Sequence, residues 1–319
     1  MLTSFRSSSG ARFAALLGIA CVGLAAAGCG SSSSSSSSSA ASSPTAVASS
    51  SQASPSSSAT GSGPVDVLYA GSLVNLMEKQ LGPAFQKATG YSVSGIAAGS
   101  KELASEIKGK VHQGDVFISA SPKVNATLEG TANGSWVSWY VTYASSALVL
   151  GYNPNSKFAA DLKTKPWYEA ITEPGIRTGF TDPATDPKGE LTAEALNDTA
   201  ASKNLPALKT LAKNQADVFP EETLVGRLQS GQLDAGFFYT SEATAAKIPT
   251  VPLTGVALKA TYTVTILNNA PHESGAEAFV TYLLGPQGQA ILTADGFKLI
   301  SPPTVSGSGM PSSLQSAIS

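Results

Sequence analysis

The chain has 319 residues, with 20 Lys and Arg against 22 Asp and Glu and a formal net charge of −2, a balance that excludes the strongly basic surface nucleic-acid binding requires. Its only two cysteines are Cys21 and Cys29, so everything beyond them lacks a disulfide, a catalytic thiol and a cysteine metal site. After Arg12 the only arginines are Arg177 and Arg227, too few for a site built from several guanidinium forks.

The first residues read as an address. Arg6 and Arg12 flank the start of an apolar run, 13–27, that ends in Leu24-Ala25-Ala26-Ala27-Gly28-Cys29. The run is too short to span a bilayer and has the layout of a secretory signal, expected over 1–28. Small residues before Cys29 resemble the bacterial lipoprotein cleavage motif, with alanine at the position where leucine is usual. That resemblance implies lipidation of Cys29 and attachment to the extracytoplasmic face of the membrane. Residues 29–63 are almost all Ser, Ala, Thr, Pro and Gly, including unbroken serine over 31–39. Such a stretch cannot bury enough apolar surface to offset its ordering entropy, and a flexible linker is expected. A folded unit is expected over 64–319.

That unit alternates short apolar runs with amphipathic ones. Strands are expected over 65–69, 91–96 and 115–120, and helices over 73–88, 101–110 and 122–128. The aromatic-rich run 136–152 reads as one long extended segment crossing from a first lobe to a second. The second lobe follows, with helices over 158–171 (interrupted at Pro166), 191–200, 205–213 and 222–230, and strands over 177–181, 217–219 and 235–239. A strand over 261–267 then returns the chain to the first lobe, ahead of helices over 274–284 and 287–294. Repeated strand–helix–strand units predict an α/β fold of two lobes, each a mainly parallel sheet flanked by helices, with a cleft between them. Lobe 1 is expected over 64–144 and 252–319, and lobe 2 over 145–251.

Two turns stand at strand-to-helix junctions, Ala70-Gly71-Ser72-Leu73 and Ala97-Ala98-Gly99-Ser100. A helix N-terminus offers free N–H groups and a partial positive charge, and glycine permits close approach. Each serine also serves as an ordinary helix cap, and the two roles are compatible. Asp186, followed by Pro187, fits a helix start equally well. Glu221 and Glu222 are acidic residues of the kind common in a first helical turn. Tyr239 ends an apolar strand, where its phenol is a further donor or simply a core group. His112 and His272 lack metal-ligand spacing and read as surface residues. No GxSxG, HExxH, P-loop or GxGxxG occurs, and no nucleophile–base pair can be proposed.

Taken together, these stretches resemble the tungstate/molybdate-binding proteins of ABC importers. The resemblance rests on both Gly-Ser turns and on Asp115-Val116-Phe117-Ile118-Ser119-Ala120. It continues through 136–152, Asp182-Pro183-Ala184-Thr185-Asp186-Pro187-Lys188-Gly189, Gln229-Ser230-Gly231-Gln232-Leu233-Asp234 and Gly285-Pro286-Gln287-Gly288-Gln289. It implies a periplasmic-binding fold closing on one oxyanion, with ligand oxygens held by Ser72, Ser100 and the segment at Ser145 and Ser146. It implies that Asp186 and Glu221, with Glu222 as the neighbouring alternative, approach the Mo or W centre from the second lobe; Tyr239, read from its place at a strand end, is added as a further donor. It further implies a membrane permease as partner, a monomer, no cofactor and no catalysis. Two other ligand classes, phosphate and sulfate, suit the same fold. A hydrolase using Asp186 and Glu221 as an acid–base pair and a structural surface lipoprotein are the readings of another kind.

Overall fold

The computed structural model describes residues 61–318. The expected signal, the lipidation site Cys29 and all but the end of the expected linker lie outside the described residues. Among the described residues, nine strands form one continuous sheet. In chain order they are β1 (Gly63–Ala70), β2 (Tyr91–Ala98), β3 (Val116–Ser119), β4 (Trp139–Tyr152), β5 (Thr178–Gly179), β6 (Ala235–Tyr239), β7 (Thr250–Pro252), β8 (Lys259–Ile266) and β9 (Lys298–Gly307).

β1 is apolar on both faces, with Val65, Val67, Leu68, Tyr69 and Ala70 all buried, because helices cover both sides of the sheet. It pairs in parallel with β2 and with β3. The register sets Tyr69 opposite Ala97 and Ala70 opposite Ala98. Both strands therefore end at one level, and the two Gly-Ser turns emerge side by side. The turn after β1 begins as a tight 3-10 turn, Gly71–Leu73, and continues through a π-helical segment into the helix Gly82–Thr89. Gly90, left-handed at φ 86°, ends it, the usual stop for a helix. The turn after β2 opens the helix Ser100–Lys108. Phe85 anchors this lobe, edge-on to Phe279 at 5.3 Å and to Tyr282 at 5.7 Å. Full burial of one such ring stabilises by about 1.5–3 kcal/mol.

β4, with 14 residues, changes partners along its length. Its first part, to Ala147, pairs with β8 and β9; from Leu148 onward it pairs with β6 and β7. β8 returns between β3 and β4. The two-lobed α/β fold follows, with the extended crossing segment where the sequence predicts it. The expectation of mainly parallel sheets is corrected: only β1 with β2, β1 with β3, and β5 with β6 run parallel. Parallel pairs need a covering crossover, whereas β4 and β8 pass between lobes in opposite directions and pair antiparallel with their neighbours.

Some elements differ from expectation. Residues 217–219 form no strand but a 3-10 turn, Gln215–Asp217, and one bridge between Phe180 and Val218. β7 and β9 carry no periodic sequence signal. β9 contains Pro302 and Pro303 and pairs only with β4, an edge position where proline removes no required donor. Among the described residues no helix is long and apolar enough to cross a membrane.

Candidate functional site

The site forms where the ends of β1 and β2 face the first turns of two second-lobe helices. Asp186 is the N-cap of the helix Pro187–Lys203, with Oδ1 accepting from Lys188 N at 2.8 Å. Proline at the first helical position fits because that N–H has no intrahelical partner. Its other oxygen, Oδ2, is buried without a hydrogen-bond partner. Glu221 opens the helix Glu221–Gln229 and is buried, with neither carboxylate oxygen hydrogen-bonded. Glu222, next along the helix, is exposed. The structure thus brings Glu221 rather than Glu222 into the cluster.

The two glycines explain how closely the lobes meet. A Cβ at Gly71 would lie 3.0 Å from Glu221 Oε2, and one at Gly99 would lie 2.6 Å from the Thr185 carbonyl and 3.2 Å from Asp186 Cβ. Each Gly-Ser turn therefore faces one second-lobe acid. The expected free N–H groups at the start of the helix Ser100–Lys108 are partly spoken for. Lys101 N and Glu102 N donate to Thr185 O at 3.0 and 3.1 Å. A carbonyl from the facing lobe takes the place of an anion there, and the serine side chains are left as the donors.

Those serines are buried and differently held. Ser72 Oγ is 3.1 Å from Tyr262 Oη. Ser100 Oγ accepts from Ala120 N at 3.1 Å and Ser146 Oγ from Ser241 N at 2.9 Å; each hydroxyl keeps its own proton to donate. Ser145 stands opposite Thr261 on one side and Lys298 on the other, inside two ladders. Tyr239 Oη is buried without a partner, its ring edge-on to Tyr262 at 6.0 Å. Burial raises both phenols well above their ordinary range, so they stay protonated donors at neutral pH.

Four residues that pattern reading passes over complete the cluster. Lys188 has no exposed surface, and its Nζ donates to both carboxylate oxygens of Glu242, at 2.9 and 2.8 Å, while lying 3.4 Å from Glu221 Oε1. Thr181, whose buried hydroxyl bears on the Asp186 carboxyl, and Tyr262 are the others. Lys188 lies in the quoted Asp186–Gly189 stretch, but nothing local marks it as buried. Glu242 sits third in the helix Thr240–Ala245 and accepts from Tyr239 N at 3.3 Å, which locally reads as a cap. Tyr262 is one aromatic in an alternating strand.

The electrostatics are unusual. Asp186, Glu221 and Glu242 put three buried carboxylates around one ammonium. Burial raises the carboxyl of Asp186 and, farther, that of Glu221, to which the Asp186 charge adds; Lys188 opposes both. Burial also raises Glu242, with Lys188 again opposing. Lys188 itself is pulled down by burial but held above its ordinary value by Glu242, Glu221 and Asp186. A cavity of about 530 Å³ opens onto Asp186 and Glu221 beside Gly99 and Thr181. Its rim adds Glu102, Glu106, Asp182 and Glu222. With buried carboxylates and the Thr181 hydroxyl facing this cavity, the cluster can hold a small polar solute.

The model of the bacterial extracellular solute-binding protein family matches residues 65–298. The chain belongs to that family. A solute-binding protein of Petrotoga mobilis, itself uncharacterised, is 30% identical over 278 residues, covering 76% of this chain and 85% of its own. The molybdate/tungstate-binding protein WtpA of Thermococcus kodakarensis is 24% identical over 225 residues, covering 54% and 64%. Among solved structures, the periplasmic molybdate-binding protein of Azotobacter vinelandii superposes with a TM-score of 0.59 at 23% identity, covering 74% of this chain and 99% of that one. This last likeness speaks for the two-lobed fold. Members of the family are extracellular solute-binding proteins.

Both histidines are partly exposed, as expected, and His112 lines the cavity. His112 Nε2 is 3.8 Å from Glu106 at the cavity rim. His272 is no idle surface group: its Nδ1 is 2.9 Å from Oδ2 of the buried Asp115, and its backbone N–H donates to Asp115 Oδ1 at 2.6 Å.

Proposed function

We propose that this chain captures molybdate or tungstate outside the cell and delivers it to the membrane permease of an ABC importer. The observation that carries the proposal is the pair of buried carboxylates, Asp186 and Glu221, aimed at the two Gly-Ser turns, with only Lys188 as a cation against Glu221 Oε1. Two carboxylates repel a simple dianion, by about 4 kcal/mol per charge pair at 4 Å with an effective dielectric of 20. They suit an oxyanion whose large, electrophilic centre takes carboxylate oxygens as additional ligands, as Mo(VI) and W(VI) do. Sulfate, with a small saturated centre, offers no such coordination. In this reading Ser72, Ser100, Ser146 and Tyr239 donate to the anion's oxygens, the segment at Ser145 does the same, and Asp186 and Glu221 ligate the metal. The solute is cargo, no cofactor takes part, and nothing is turned over.

Delivery requires proximity to the permease. We infer a secretory signal over 1–28, a lipid on Cys29, a tether over 29–63 and a monomeric binding unit at its end. The names carried by related proteins support the ligand class. Phosphate remains the competing ligand, because a protonated phosphate could donate to one of the unpartnered carboxylate oxygens. Calorimetric titration of the purified full chain with molybdate, tungstate, sulfate and phosphate decides between them. Tight binding of the first two with weak binding of the last two is expected. Failure to bind molybdate and tungstate, or tighter binding of phosphate, would remove the proposal.

A further inference from the structure

Lys188 is the only buried lysine or arginine among the described residues. Burying an ion pair seldom adds net stability over apolar packing of the same volume, so the lysine calls for a reason beyond the fold. Its contacts suggest one. Two of its three protons are directed at Glu242, at 2.9 and 2.8 Å, the range of strong charge-assisted bonds. The remaining side of the ammonium faces Glu221 Oε1 at 3.4 Å, and the Tyr239 ring lies 5.7 Å away. With its donors turned toward these carboxylates, Lys188 is not placed to grip a solute. It is placed to hold Glu221. That carboxylate sits between the ammonium on its Oε1 side and Gly71 on its Oε2 side. Glu242 is in turn anchored by the Tyr239 backbone N–H. The chain of contacts runs from the end of β6 through Glu242 and Lys188 to the one acid in the cluster with no hydrogen bond of its own.

We propose that Lys188, held by Glu242, is a positioning residue that fixes Glu221 to ligate the metal centre of the bound oxyanion, and so sets the preference of the site for molybdate and tungstate over sulfate. This rests on the oxyanion reading above. Without the ammonium, Glu221 faces Asp186 with no counter-charge. It then turns toward the open cavity, where Glu222 already lies exposed. A site without Glu221 in place still offers serine and tyrosine donors, which bind any tetrahedral oxyanion. Affinity for tungstate then falls toward that for sulfate.

The test uses the full chain and two readouts. Calorimetry gives the ratio of tungstate to sulfate affinity, and tungsten L-edge absorption gives the coordination number of bound tungstate. Removing the lysine alone strands Glu242, so the informative variant is Lys188→Met with Glu242→Leu, which removes both members of the ion pair and leaves only Glu221 and Asp186 without their counter-charge. The wild type is expected to hold tungstate with six oxygens. The double variant is expected to stay folded, to lose at least tenfold in the affinity ratio, and to hold tungstate with five oxygens, Asp186 remaining as a ligand. Glu242→Gln, which keeps the lysine but loosens its hold, is expected to lower the ratio severalfold and carries the test should the double variant not fold. A folded variant with an unchanged ratio, or a four-coordinate wild type, overturns the role of Lys188. A wild type that binds neither tungstate nor molybdate overturns the oxyanion reading itself, so the two failures are distinguishable.

Discussion

Asp186 shows how one side chain answers two demands. Oδ1 caps the helix Pro187–Lys203 through Lys188 N, while Oδ2 is left buried and unpartnered. Locally the cap is a sufficient explanation for the residue, and the sequence alone leaves it as good as the ligand role. The two functions separate in Asp186→Asn. An asparagine caps about as well as an aspartate, so thermal stability should change by under about 1 kcal/mol. Binding of molybdate, however, should weaken by at least tenfold, about 1.4 kcal/mol, because an amide is a poor ligand for the metal centre. A titration showing unchanged affinity would confine Asp186 to the capping role. Glu221 makes the complementary point. Position alone leaves Glu221 and Glu222 equivalent; the helix begins at Glu221 and turns that residue inward and its neighbour out.

At the scale of elements, the helix Ser100–Lys108 and the segment 182–190 form the contact between lobes. The Thr185 carbonyl receives Lys101 N and Glu102 N, and the Lys101 side chain reaches Pro183 O at 2.9 Å and Glu190 at 2.7 Å. The exposed ion pair contributes about 0–1 kcal/mol; the backbone contact sets the approach. Gly99 makes that approach feasible, since a methyl there would stand 2.6 Å from Thr185 O. Its φ of −57° is one alanine adopts freely. Because a methyl cannot fit against the Thr185 carbonyl, Gly99→Ala should force the lobes apart at this contact while the chain stays folded. It should then bind tungstate at least tenfold more weakly. Small-angle scattering should show wild type, but not the variant, contracting with saturating anion; equal contraction would remove Gly99 from the closing contact.

Across the whole molecule, β4 and β8 join the lobes, and a second tie secures the first lobe. Asp115, fully buried, accepts from Asp66 N at 2.7 Å, from His272 N and from the His272 ring. β1, the start of β3 and the helix Glu273–Leu284 meet there. The hydrogen bond to Asp115, and then its charge, raises the His272 pKa above its ordinary value. A raised folded-state pKa means stability that is fully present below the unfolded value, about 6.5, and lost as pH rises through the folded value. Urea midpoints of wild type and His272→Ala should differ most below about pH 6.5 and converge as the pH rises above it. A gap that stays constant would show that the protonated ring adds nothing. Asp66 Oδ2, 3.7 Å from the same ring, contributes in the same direction.

The sequence determined what travels with local pattern: the alternation of strands and helices, the long crossing segment at 136–152, the two glycine turns and the helix start at Asp186. Each is written in periodicity, capping residues or a glycine that the backbone needs, within a few positions of itself. Only the tertiary structure decided which of these meet. It set β1 and β2 in one register so that both turns emerge together, placed Glu221 against Gly71, and buried Lys188 and Glu242 from separate helices as a pair. It also replaced the expected parallel sheets with a mixed one and gave 217–219 to a turn. Such features depend on residues tens to hundreds of positions apart, as with Lys188 and Glu242 or Ser72 and Tyr262. A buried charge has no local signature: its cost is met by partners that the fold alone supplies.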